Sequence, residues 1–207
     1  MISFSSALLV GGRSRRMGQD KALLDWHGRP LWTVQVRKLI SLGSEKIYLA
    51  ARREQVFKAR IESELTPQEA ERLCVVEDPP QEDCGPIGAI SRCLACAKMP
   101  LIVLAVDLPL MTADFLRDRL CLTAATGKGV FYKGPHGPEV LGALYVPEML
   151  PQITEALRSG ANSLQALVAR FEKDDRCEVR EPANDETHFW LNANTLEEAE
   201  EISRFKP

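Results

Sequence analysis

Ser6-Ala7-Leu8-Leu9-Val10-Gly11-Gly12-Arg13-Ser14-Arg15-Arg16-Met17-Gly18-Gln19-Asp20-Lys21 is the stretch on which the fold turns. Ser6 to Val10 is a short, mostly apolar run suited to a buried strand, and Gly11-Gly12 ends it. Three glycines beyond it let backbone N–H groups come close to an anion. Arg13, Arg15, Arg16 and Lys21 stand there against the single Asp20, in a chain whose formal net charge is −3. A basic glycine turn at a strand's carboxyl end predicts a triphosphate cradle rather than a solvated turn. It is not a Walker A loop, because Gln19-Asp20-Lys21 follows Gly18 and offers no hydroxyl for magnesium. Nor is it a dinucleotide fingerprint, because Gly11 and Gly12 are adjacent.

Outward from this loop, short apolar runs alternate with helical patterns. Pro30 suits the first turn of a helix carrying Trp32, Val36, Leu39 and Ile40 on one face, with Gly43 as its stop. Lys46–Ala50 reads as a strand, then comes a charged helix from about Glu54 to Glu64. Leu73–Val76 is a third strand, Gly85-Pro86 opens a helix with Ile87, Ile90 and Leu94 on one face, and Leu101–Val106 is a fourth strand. That last run is continuously apolar, as a central parallel strand covered on both faces requires. The alternation β-α-β-α-β-α-β predicts an α/β three-layer sandwich on a mostly parallel Rossmann-like sheet. The second half is less regular: strands at Val130–Tyr132 and Val140–Val146, an amphipathic helix from Ser163 to Phe171, and a last helix opened by a Thr195-x-x-Glu198 capping box. One domain over residues 1–207 is expected. In such sheets ligands bind beyond the carboxyl ends of the strands, so the residues after Val10, Ala50, Val76 and Val106 matter most.

Composition narrows the partners. The chain has 207 residues, 26 basic against 29 acidic side chains, and 45% hydrophobic residues. The apolar fraction excludes wholesale disorder, and the net charge argues against nucleic acid or an anionic membrane as main partner. No stretch approaches the roughly 20 apolar residues of a membrane span. Met1 to Val10 lacks the basic start of a secretory signal, so a cytoplasmic protein is expected. Cys93 and Cys96 form a C-x-x-C with no second pair at a zinc spacing, so both are expected to be buried small hydrophobes. His27, His136 and His188 are scattered and read as structural or surface residues.

Two carboxylates close strands. Asp107 directly follows Leu101–Val106, and a carboxylate there suits a hard cation shared with substrate phosphates. Asp78 follows the third strand, ahead of Gly85-Pro86-Ile87-Gly88.

Leu8 to Lys21 resembles the signature of the molybdenum cofactor guanylyltransferase family, a group of nucleotidyltransferases whose pattern is L-A-G-G-x-S-x-R-M-G-x-D-K. Val10 is the one departure, standing where alanine is usual. The resemblance implies that Leu9, Val10, Gly11 and Gly12 wrap the nucleotide, with Arg16 and Lys21 balancing the triphosphate. Val106-Asp107-Leu108-Pro109 matches the family's D-x-P, whose aspartate binds Mg2+ and nucleotide. Asp78 and Gly85 match its E-D and G-P-x-x-G and so line the nucleoside pocket. Asn192-Ala193-Asn194-Thr195-Leu196-Glu197-Glu198 matches its N-x-N-T-x-E-E, which puts Asn192 and Asn194 on the molybdopterin side. Amides suit a pterin rich in donors and acceptors. Between Gly127 and Glu186 the resemblance is thin, limited to a proline turn at Gly137-Pro138-Glu139. After the second strand, Ala50-Ala51-Arg52-Arg53 stands where the family often has asparagine.

The implied reaction transfers GMP from GTP to the terminal phosphate of molybdopterin and releases pyrophosphate. Lys21, Asp107 and Arg16 are its catalytic residues and Mg2+ its cofactor. Residues 1–110 would hold the nucleotide and 111–207 the acceptor, with room for transient contacts to cofactor-biosynthesis proteins or acceptor enzymes. The nucleophile is a phosphate monoester with a second pKa of about 6, so no general base is needed. Two other readings stand beside it: a cytidylyltransferase acting on the pterin or on a sugar or polyol phosphate, and a non-catalytic GTP-binding chaperone of the cofactor. Adjacent Gly11-Gly12 favours the guanylyl branch.

Overall fold

Strand β4 (Leu101–Ala105) is buried along its whole length, and the rest of the protein is built outward from it. The computed structural model describes residues 3–11, 20–55, 57–79, 85–161 and 163–204. Strand β4 lies beside β1 (Ser5–Leu9), then β2 (Ile47–Ala51), then β3 (Leu73–Glu77), all parallel. On its other side come β6 (Gly137–Tyr145), β5 (Gly129–Gly134) and β7 (Cys177–Arg180). The sheet order is β3-β2-β1-β4-β6-β5-β7, and only β6 runs against the rest. This is the expected α/β sandwich on a mostly parallel sheet.

Alternation of side chains fills two layers. Leu8, Ile102 and Leu104 face one core, while Ala7, Leu9, Leu101 and Val103 face the other. The first layer holds helices α1 (Leu31–Ser41) and α2 (Phe57–Glu64), with the short α3 (Pro67–Ala70) following α2. The second face is covered by α4 (Gly85–Ala97). The first layer is completed by α5 (Ala113–Phe115), which widens into a π turn over Leu116–Leu120 and a 3-10 turn over Cys121–Thr126. Helices α6 (Leu150–Arg158) and α7 (Leu164–Lys173) join α4, and α8 (Leu196–Ser203) returns to the first layer through Ala199 and Ile202. Truncating Leu104, which is fully buried, to alanine costs about 2–5 kcal/mol, as such core deletions do.

Local chemistry explains the ends. Gly43 takes a φ of +85° just after α1, a left-handed stop that glycine adopts without steric penalty. Thr195 caps α8 by accepting from Glu198 N–H. The return half of the expected capping box is different: the Glu198 carboxylate accepts from Asn194 N–H at 2.7 Å. The full box forms instead at Thr66 and Glu69, ahead of α3. The thiol expectation also needs correction. Cys93 is buried on the inner face of α4, but Cys96, one turn further, is exposed.

Candidate functional site

Strands β1 and β4 are neighbours, yet the chain leaves β1 toward β2 and β3 and reaches β4 from the far side. Their carboxyl ends therefore border the topological switch point, where open sheets bind ligands. The parallel register brings Leu9 level with Ala50 and with Ala105, and Ala51 level with Glu77. Asp78, Arg52, Gly11 and Asp107 are thus set out along one sheet edge in that order. Turn Gly134–Gly137 of the β5–β6 hairpin stands at the same edge, so Gly137-Pro138-Glu139 belongs to this side of the molecule.

Lys21 and Asp107 meet here. Asp20 carries the chain into a 3-10 turn, Lys21–Leu23, by accepting from Ala22 N–H at 3.0 Å. Fully buried Ala22 roots the turn in the core. Lys21 Nζ then donates to Asp107 Oδ2 at 3.1 Å and to Asn194 Oδ1 at 2.6 Å. One ammonium joins the turn after Asp20, the β4 end and the C-terminal segment. Asn192 does not share this contact: it is exposed, and its amide donates to Trp190 C=O at 3.2 Å. The two asparagines are therefore separated in role.

The backbone around Asp107 is held by side chains that sequence reasoning did not single out. Gln35, fully buried on α1, donates from Nε2 to Leu108 C=O at 2.9 Å and to Ala105 C=O at 3.3 Å. Lys38 Nζ donates to Gln35 Oε1 at 2.6 Å and to Pro109 C=O at 3.1 Å. Burial lowers the Lys38 ammonium to about 7, far below an ordinary lysine. Asp107 C=O itself accepts from Ala193 N–H at 2.9 Å. A carboxylate on so well tied a turn is preorganised.

On the other side of Gly11, the Arg92 guanidinium on α4 pairs with the Asp78 carboxylate. A Cβ placed on Gly11 would lie 3.7 Å from Asp78 Oδ2 and from Arg52 Cγ, and 3.8 Å from Ala50 C=O. Glycine leaves that space open, between the start of the loop and the acid expected to face the nucleoside. Gly85 begins α4 with a φ of +57°, a left-handed conformation in keeping with glycine at this position. Leu9 is buried at the end of β1 and Val10 follows it, also buried, with its N–H on Ala50 C=O. Gly12 and Arg16, both expected to contact the nucleotide, lie outside the described residues.

The structure thus gathers Gly11, Lys21, Asp78, Asp107 and Asn194 on one edge, with Asn192 nearby in sequence but turned to Trp190. Residues 6–176 match the MobA-like NTP transferase domain, most of the chain's length.

The chain belongs to the MobA-like NTP transferase family.

Among curated members, the probable molybdenum cofactor guanylyltransferase of Opitutus terrae is 32% identical over 196 residues, covering 93% of this chain and 90% of that protein. Among solved structures, molybdopterin-guanine dinucleotide biosynthesis protein A from Archaeoglobus fulgidus superimposes with a TM-score of 0.74 at 20% identity, covering 97% of both chains. A putative glucose-1-phosphate thymidylyltransferase from Bacillus anthracis has the same TM-score of 0.74 at 15% identity. At such identities the likeness is one of fold, and this fold is common to NTP transferases that differ in acceptor. As a MobA-like NTP transferase the chain is a nucleotidyltransferase, and none of its described helices is long and apolar enough to cross a membrane.

Proposed function

We propose that this protein transfers GMP from GTP to the terminal phosphate of molybdopterin, forming the guanine dinucleotide cofactor and releasing pyrophosphate in the cytoplasm. The observation that carries the proposal is the Lys21–Asp107–Asn194 junction at the switch point, because it joins phosphate loop, acid and C-terminal segment in one place. The extended likeness to a guanylyltransferase over nine-tenths of both lengths supports the choice of substrates.

Residues 1–110 hold the nucleotide in this reading. Gly11, Gly12 and the loop amides wrap the triphosphate, Lys21 and Arg16 face its charge, and Asp78 and Gly85 line the nucleoside pocket. Residues 111–207 receive the acceptor, with Asn192 nearer the pterin and Asn194 steadying Lys21. Lys21 leaves Asp107 for the phosphates as GTP enters, so that its ammonium receives the charge developing on the departing pyrophosphate.

A divalent cation fits this edge as a shared ligand. Among the described residues no three His, Cys, Asp or Glu side chains assemble a cage, and the Asp107 side chain is 21% exposed. One carboxylate completed by phosphates and water is the coordination habit of Mg2+, which we assign as the cofactor. When bound, Mg2+ neutralises phosphate charge and polarises the α-phosphate. The acceptor phosphate is largely ionised at neutral pH, so the chain's own residues need only align it for in-line attack.

Incubation of the protein with molybdopterin, Mg2+ and GTP, CTP or ATP in turn tests this. Pyrophosphate release with GTP alone is expected. Release with CTP alone points to a cytidylyltransferase, and GTP binding without release to a non-catalytic carrier.

A further inference from the structure

Gln55 is 9% exposed, on the 3-10 turn Arg53–Gln55 just after β2. A buried amide has to find partners, and this one finds them on both sides of the phosphate loop. Its Nε2 donates to Val10 C=O at 3.0 Å and to Asp20 Oδ2 at 2.7 Å, while its Oε1 accepts from Arg52 N–H at 2.8 Å. Val10 is the last residue before Gly11, and Asp20 the last before Lys21. The other Asp20 oxygen caps the turn that carries Lys21. One side chain therefore sets the distance between the loop's two ends and ties both to the strand end beside Asp78 and Gly11.

We propose that Gln55 is a positioning residue for nucleotide binding, which clamps the two ends of the phosphate loop through Val10 and Asp20. The proposal rests on the reading of Gly11 to Lys21 as the triphosphate site. A residue that only stabilised the core would lower the melting temperature and leave affinity alone; a clamp changes affinity for GTP through the register of the loop.

Calorimetric titration of the full chain with GTP in Mg2+ tests it, with thermal unfolding recorded for each variant. Gln55→Glu keeps the size and the acceptor toward Arg52 but removes the donor toward both Asp20 and Val10 C=O. Asp20→Asn keeps the acceptor toward Ala22 and supplies a donor. Each alone should weaken GTP binding about tenfold, the equivalent of one charged hydrogen bond. Combined, they reverse the polarity of the Gln55–Asp20 bond and should recover the part of the loss that belongs to it, while the bond to Val10 C=O stays unmade. Gln55→Met, close in volume and uncharged, should show the same weakening and serves if the charged variant fails to fold. Lys21→Ala separates the clamp from the triphosphate site itself. If it weakens GTP binding while the Gln55 variants bind normally, the clamp is wrong and the loop reading stands. If neither position affects GTP binding, both are wrong.

Discussion

Lys21 Nζ and Asp107 Oδ2 lie 3.1 Å apart although 86 positions separate them in the chain. Their contact joins the turn after Asp20 to the turn after β4.

Lys21→Ala should lower turnover by about a hundredfold, or roughly 3 kcal/mol, the effect of removing one preorganised donor from a developing charge. Stability should change less than turnover, because Asp107 keeps about one-fifth of its side chain open to water, which can solvate the charge that Lys21 leaves behind. Steady-state pyrophosphate release and chemical unfolding measure the two. Equal loss in both would mean that Lys21 is only structural.

Asp107→Asn should abolish metal-dependent turnover in a protein that still folds. The turn does not rely on the carboxylate, since Gln35, Lys38 and Ala193 N–H hold the carbonyls at Ala105, Leu108, Pro109 and Asp107. Turnover across a range of Mg2+ concentrations, with circular dichroism as control, checks this. Full GMP transfer by the variant would remove Asp107 from the mechanism.

Asn194→Ala and Asn192→Ala should differ in kind. Loss of Asn194 frees the Lys21 ammonium from one of its acceptors and should reduce kcat about tenfold, the scale of one charged hydrogen bond. Loss of Asn192 should raise KM for molybdopterin with kcat nearly unchanged. Identical profiles for the two variants would contradict their separation.

Lys38 gives the fold a dependence on pH. Its amine is lowered by burial from the ordinary 10.5 to about 7, so between these values the unfolded chain holds a proton that the folded protein has lost. Stability contributed by this group therefore rises as pH rises from about 7 toward 10.5. A neutral amine keeps two N–H donors, enough for Gln35 Oε1 and Pro109 C=O. Denaturant unfolding at pH 7 and pH 9.5 should show the wild type gaining stability relative to Lys38→Met. A difference constant across that range would show that Lys38 titrates normally.

The first half of the chain was legible because its strands are apolar runs and its turns are glycines, signals that local chemistry alone produces. Leu101–Val106 read as a strand covered on both faces, and it is one. Lys21 and Asp107 were legible as neighbours on one sheet edge, because the carboxyl ends of parallel strands fall there, but not as an ion pair. The second half yielded less. Strand β7 has four residues, Cys177 to Arg180, too few for an alternation to register. Helix α6 starts at Leu150-Pro151, where a proline reads as punctuation although it suits a helix's first turn. Gln35, Lys38 and Gln55 look like the solvated side of their segments. Their burial comes from the β4 turn and the loop ends folding over them, a tertiary effect that no local pattern encodes. Asn192 and Asn194 look equivalent in sequence, and only the position of the Lys21 ammonium separates them.

In the proposed reaction the α-phosphate of GTP, with its nucleoside, moves to the acceptor. GTP labelled at the α-phosphate or at the γ-phosphate, incubated with molybdopterin, Mg2+ and the protein, decides it. The α label is predicted in the dinucleotide product and the γ label in pyrophosphate. A γ label on the pterin, or both labels still in GTP, would overturn GMP transfer.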